Sequence, residues 1–225
     1  MNFLAIDISL DNFNLLIGNK KSIIFSKTAK INKDRSQILF DTLNYIQNEK
    51  IFEYNKLGII YSTIGPGNFN GIRISISTIK AFKLVYQKLN ISGVSSLDAL
   101  IRSKSKSDLN TCVAIKSSPG YLYTQCYDKF FKPLNNVEVL CLEDEIKLPI
   151  SKNSFRLIGN GSEDLAEKLD CKVTRHNNNN IITIEGLYDS IISMIINNNY
   201  IDPTPLYLRN TNIVKPAKWK KAPIV

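Results

Sequence analysis

The chain has 225 residues, 44% of them hydrophobic, and its 29 Lys and Arg against 20 Asp and Glu give a formal charge of +9. That much apolar material suits one large domain or two small ones and excludes a disordered chain. No apolar run approaches a membrane span, Asp7 interrupts the N-terminal apolar stretch where a secretory signal would continue, and four scattered cysteines with a lone His176 argue against a disulfide scaffold or a zinc site. A cytoplasmic protein with reduced thiols and no membrane association is the expectation. The positive surplus fits either drift of composition towards Ile, Asn and Lys or a surface that faces RNA.

In chain order, residues 2–9 (NFLAIDIS), 13–17 (FNLLI) and 22–27 (SIIFSK) are apolar runs parted by the turn signals Asp11-Asn12 and Gly18-Asn19, which predicts an antiparallel meander. Between Lys33 and Glu49 the period changes: Ile38, Leu39, Thr42, Leu43 and Ile46 share one helical face, with Asn32 or Asp34 as cap. LGIIYSTI at 57–64 reads as a strand covered on both faces. It runs into GPGNFNG at 65–71, after which Ile72, Ile76 and Ile79 recur at helical spacing with the small Ser75 and Ala81 among them. ISGV at 91–94 is a short strand, and Ser95 or Ser96 caps a helix over SSLDAL. The polar stretch RSKSKSDLN at 102–110 divides the chain.

The second half repeats the order imperfectly. Strands are expected at 111–116, 121–127, 137–142 and from 156, a helix over SEDLAEKL, a loop tip at the four asparagines 177–180, a helix over 185–196 and an extended PLYLRN at 205–210. The expected organisation is therefore two similar α/β lobes, 1–102 and 103–204, followed by a segment and basic tail over 205–225.

The glycine loop has the setting of a phosphate site, between strand and helix, but not the pattern of one. Ile72 stands where a P-loop needs Lys, the glycines 65, 67 and 71 do not follow GxGxxG, and no carboxylate lies between Glu53 and Asp98 to hold a ribose. The competing reading makes Gly65-Pro66-Gly67 a fixed turn and Gly71 a close-packing point at the helix start, capped by Asn68 or Asn70. Arg73, in the first turn, is the side chain placed to reach an anion or a partner's carboxylate.

GPGNFNGIRISISTIKAF resembles the signature GPGSFTGLRIGLATAKGLA of the bacterial TsaB (YeaZ) family, FLAIDIS its opening LAIDTS, GVSSLDAL its GVSSLEAL, and PLYLR its C-terminal PxYLR. The resemblance implies an actin-like, Hsp70-like ATPase fold of the ribonuclease H-like class, with two similar α/β lobes. It implies a non-catalytic relative of the transferase TsaD that heterodimerises with it, joined by the ATPase TsaE, to make N6-threonylcarbamoyladenosine at position 37 of ANN-decoding tRNAs. The tRNA is then met through the complex. The helical flank of the first lobe would be the partner surface, able to support a homodimer as well. Its candidates are Ile38, Leu39, Leu43, Ile46, Ile72, Arg73, Ser75, Ile76 and Ile79, the apolar ones among them facing either the chain's own sheet or the partner.

The chain departs from the family where Ile8 replaces Thr, and where IKSSPGYLY stands in place of a charged stretch in the second lobe. Asp7, Gly65, Pro66, Gly67 and Gly71 are the candidates for a nucleotide or phosphate loop, with no cofactor belonging to the chain itself and ATP or ADP only at the junction with TsaD. Two rivals remain: a stand-alone ATPase or sugar-kinase-like enzyme resting on Asp7 and the loop, and an RNA-binding module resting on Lys215, Lys218, Trp219, Lys220 and Lys221.

Overall fold

The computed structural model describes residues 1–31, 34–150, 155–170, 174–175 and 180–206. The first three strands, β1 (Asn2–Asp7), β2 (Asn12–Gly18) and β3 (Ile23–Lys30), form the expected meander. β1 then pairs in parallel with β4 (Leu57–Gly65), and β4 with β5 (Asn90–Ser95), giving the order β3-β2-β1-β4-β5. Helix α1 (Arg35–Asn48) fills the crossover from β3 to β4, and α2 (Phe69–Val85) that from β4 to β5.

Strand alternation sorts this first lobe into two cores. Leu4, Ile6, Leu15 and Ile17 point to the side covered by α1 and α2, where they meet Leu39, Leu43, Ile46 and Ile79. Phe3, Ala5, Leu16 and Tyr61 point the other way, against Leu97, Leu100 and Ile101 of α3 (Ser96–Arg102) and Leu187 and Ile191 of α5 (Ile184–Ile196). β3, at the sheet edge, alternates half-buried and exposed residues.

The second sheet has the order β10-β9-β6-β7-β8, built from β6 (Asn110–Lys116), β7 (Tyr121–Tyr127), β8 (Glu138–Cys141), β9 (Phe155–Ile158) and β10 (Thr174–Arg175). Read from β8, it repeats the first sheet strand for strand, with α4 (Ser162–Leu169) between its fourth and fifth strands. This is the expected α/β class with two related lobes. The repeat is imperfect at one place: no described residue between β8 and β9 is helical, so the second lobe has no counterpart of α1 among the described residues.

The lobes share the core against α3 and α5, which takes in Val113, Ile115 and Ile158 from the second sheet. The described chain ends by returning to the first lobe. Ile201 exchanges hydrogen bonds with the Gly93 N–H and the Ser92 hydroxyl, and the Leu206 N–H donates to the Ile64 carbonyl. Ile201 thereby closes a small cluster of Ile64, Ile72 and Ile76 at the start of α2.

Candidate functional site

The glycine loop joins three elements. Asn68 caps α2, its Oδ1 accepting the Gly71 N–H at 2.9 Å, while the Asn68 N–H donates to the Ser9 carbonyl at 2.6 Å. A Cβ on Gly67 would lie 2.2 Å from the Ser9 carbonyl oxygen, and one on Gly71 would lie 2.0 Å from that of Ile8. Both glycines therefore seat the loop against the β1–β2 turn, backbone on backbone. Gly65, at φ +106°, takes a conformation that side chains disfavour. Pro66 is buried behind it.

Arg35 completes the joint from α1. Its Nη1 donates to the carbonyls of Ile8 at 2.9 Å and Leu10 at 3.1 Å. Burial draws its pKa down, offset by the charges of Asp11 and Asp7. Sequence reasoning passed over Arg35; its one available signal was a position directly after the Asp34 cap.

Asp7 is fully buried beneath the loop. Oδ1 accepts from the Ser9 N–H at 3.0 Å, the Ser9 hydroxyl at 2.6 Å and the Thr63 hydroxyl at 2.9 Å, and Oδ2 accepts from Asn14 Nδ2 at 3.2 Å. Burial pushes its pKa up, and these hydrogen bonds pull against that rise. The Ser96 hydroxyl reaches Ser9 at 2.9 Å, and Asn14 Nδ2 also reaches the Ile182 carbonyl at 2.8 Å, so the carboxylate is the hub of a network that links the first lobe to α3 and the α5 approach. The structure thus brings Asp7, Gly65, Pro66, Gly67 and Gly71 together, with the carboxylate's acceptor capacity and the loop's close contacts spent on the chain itself.

The predicted partner residues divide by helix face. Leu39, Leu43 and Ile46 on α1, and Ile72, Ser75, Ile76 and Ile79 on α2, are buried in the chain's own core; Ile38 is half-buried and Arg73 exposed. These faces cover the chain's own sheet, and of the seven buried residues Leu43 also lines the outer groove between the two helices. Ser75 is committed likewise: its hydroxyl bonds the Ser62 hydroxyl at 2.9 Å and the Ile72 carbonyl at 3.0 Å, fastening α2 to β4.

What the two helices offer outward is the opposite stripe. Phe40, Asn44 and Gln47 of α1 and Arg73, Ser77, Ala81 and Val85 of α2 border a groove of about 680 Å³, floored by Ile74, Thr78 and Phe82. Phe40 is 51% exposed, Val85 73% and the adjoining Leu84 81%. The positions 73, 77, 81 and 85 recur every fourth residue, a row that lies along one side of a helix. The Arg73 guanidinium lies 4.4 Å from the Phe69 ring centroid. Arg73, Lys80 and Lys83 give α2 three cations and no carboxylate. The tail residues Lys215, Lys218, Trp219, Lys220 and Lys221, and His176, lie outside the described residues.

A family model described as TsaD, tRNA N6-adenosine threonylcarbamoyltransferase, matches residues 29–141, half of the chain, across both helices and the loop. A curated relative, the tRNA threonylcarbamoyladenosine biosynthesis protein TsaB of Buchnera aphidicola subsp. Schizaphis graminum, is 31% identical over 123 residues. The chain belongs to the TsaB/YeaZ family. That alignment covers 53% of this chain and 57% of the Buchnera protein, little more than half the length of the relative. Two solved structures from Pseudomonas aeruginosa share the fold over 92% of this chain and 99% of their own. One is YeaZ, with a TM-score of 0.77, and the other a protein described as similar to peptidase YEAZ, with a TM-score of 0.79; each is 18% identical. The match to the family model thus runs in sequence from β3 through β8, into the second lobe, and the likeness in shape takes in both lobes. No helix among the described residues is long and apolar enough to cross a membrane.

Proposed function

We propose that this chain is a non-catalytic docking subunit in tRNA threonylcarbamoyladenosine biosynthesis, and that it holds the TsaD transferase through the outer groove of α1 and α2. The observation that carries the reading is the exposed row of Val85, Ala81, Ser77 and Arg73 facing Phe40 across that groove. Large apolar side chains left in water beside a ready-made helix groove mark an interaction face. Small residues at Ser77 and Ala81 admit a partner helix to an axis distance of about 8–10 Å. The cations of α2 call for carboxylates on the facing surface.

Behind the groove, the glycine joint fixes where α2 starts and Arg35 fixes where α1 starts, so the two helices meet the partner as one rigid pair. The loop in this reading aims a helix. A nucleotide at the junction with TsaD would then depend on groups that TsaD supplies. TsaE would join the pair, tRNA would be met through the complex, and a second copy of this chain would take the same groove where TsaD is lacking.

The test is co-purification with TsaD of Val85→Asp and of Ala81→Asp, both at exposed positions where the fold has nothing to lose. A charge in the centre of such an interface costs about 2 kcal/mol or more, so affinity should fall at least about thirtyfold. Undiminished binding by either folded variant refutes the groove as the docking face.

A further inference from the structure

Helix α2 carries two of its cations on one line. At about 100° per residue, Arg73, Lys80 and Leu84 fall within about 40° of arc, so together they form the crown of the helix beside the groove. All three are exposed, Leu84 most of all. The Arg73 guanidinium lies on the Phe69 ring one turn earlier, which holds its planar fork in place while leaving its charge outward. Lys83, on the other flank, turns its ammonium to the Gln87 carbonyl at 2.6 Å.

No ion pair among the described residues includes Arg73 or Lys80. Arg73 is also the single charged side chain among the described residues that line the groove. The carboxylates on and beside α1 stay out of it. Asp34 accepts the Ser36 and Gln37 N–H groups as the cap of the helix, Asp41 accepts Gln37 Nε2, and Glu49 follows the last turn. The docking face is therefore apolar with charge of one sign.

We propose that this crown is a charge filter: Arg73 and Lys80 select a partner surface that carries carboxylates and weaken the pairing of this chain with itself. The inference rests on the groove being the docking face and adds what decides between its two occupants. A two-fold pair of identical chains sets one patch against its own copy. When α2 of one copy is laid in the groove of the other, crown cations meet the Arg73 of that groove, and no carboxylate lines it to answer them. Against an acidic surface on TsaD the same cations become attractive. Self-pairing is then a weak placeholder that TsaD displaces, and salt acts on the two complexes in opposite directions, because screening removes repulsion from one and attraction from the other.

The experiment is analytical ultracentrifugation of the whole chain, alone and titrated with TsaD, at sodium chloride from about 50 to about 500 mM. Across that range wild type should bind TsaD about tenfold less tightly and pair with itself more tightly. The variant Arg73→Glu with Lys80→Glu should lose about tenfold in affinity for TsaD. Its own copies still repel, but mixed with wild type it should form a pair about tenfold tighter than either chain forms with itself, which also shows that the variant is folded. Val85→Ser, which removes apolar contact and no charge, separates the two levels of the reading. If it leaves both complexes unchanged, the groove is not the docking face and the filter falls with it. If it weakens both while the mixed pair is no tighter than the wild-type pair, the groove docks partners but charge does not choose them, and this proposal alone is overturned. Salt that moves both complexes in the same direction overturns it as well.

Discussion

Replacing Gly71 with Ala tests the joint most directly. The added Cβ would start 2.0 Å from the Ile8 carbonyl oxygen, and even a contact of 3.0 Å requires the start of α2 and the β1–β2 turn to part by about 1 Å. The obstacle is backbone on both sides, so no rotamer relieves it. Parting by that much stretches the 2.6 Å bond from Asn68 N to Ser9 O past hydrogen-bond range and disturbs the Arg35 contact to the same Ile8 carbonyl. A neutral hydrogen bond contributes about 1 kcal/mol and one to a charged group about 1.5–3 kcal/mol; with some loosened packing, the total comes to roughly 3–5 kcal/mol. At about 2–4 °C per kcal/mol for a chain of this size, the Tm should fall by roughly 6–20 °C. Gly120→Ala is the control. Gly120 also sits at a disfavoured φ of +79° but has open space around its missing Cβ, so only the conformational cost of about 1–2 kcal/mol applies. Differential scanning calorimetry of the two variants decides the matter. A Gly71→Ala loss no greater than that of Gly120→Ala would refute the idea that the loop is a load-carrying contact between elements.

Asp7 gives a signed pH effect. Its folded pKa is raised, so the native state binds the proton more tightly than the unfolded chain, and its contribution to stability falls as pH rises above 3.8 towards that raised value. Asp7→Asn should lack this decline, and urea midpoints of variant and parent measured from acid to neutral pH should move in the variant's favour as pH rises; parallel curves would contradict the shift. If the loop is a joint and Asp7 a structural hub, ATP or ADP with magnesium should leave the Tm of the isolated chain unchanged, whereas a saturable rise would favour the stand-alone ATPase. Cys112 and Cys126 face each other across β6 and β7, both buried, and the Cys126 side chain together with burial holds the Cys112 thiol well above its usual range. Among the three described cysteines, an aromatic disulfide reagent should therefore modify half-buried Cys141 first and reach the buried pair only on unfolding, as peptide mapping of the labelled chain would show.

Much of the frame was legible because it is written in local chemistry. Asp34, Asn68 and Ser95 each cap the helix that their side-chain oxygens allow, and the meander, the covered strand β4 and the second-lobe hairpin follow from turn residues and apolar runs. The glycines of the loop pointed to close approach, but not to what approaches. That the carbonyls of Ser9 and Ile8 fill the space depends on where a distant turn folds back. The facing of α1 and α2 was illegible for a different reason. Periodicity finds the apolar stripe but not whether a sheet or a partner covers it, and the outer row of Arg73, Ser77, Ala81 and Val85 reads as an ordinary polar face until Phe40 and Val85 are seen exposed across one groove. Arg156 looked like any charged residue at the start of a strand. Its burial, at 1% exposed, follows from the layer that covers its face of the second sheet, where Ile158 on the same side joins the core shared with α3 and α5, a packing between segments far apart in the chain.

The return of the chain at Ile201 and Leu206 has a consequence for manufacture. A ribosome that has released the first hundred residues has not yet delivered the isoleucine that seals the cluster of Ile64, Ile72 and Ile76, nor the carbonyl that the Gly93 N–H requires. The helix pair can form early, but its footing is finished only when Ile201 and Leu206 have emerged. An excised first half should accordingly be a poor stand-in for the protein, and a truncation just before Ile201 should injure a surface that lies more than a hundred positions upstream.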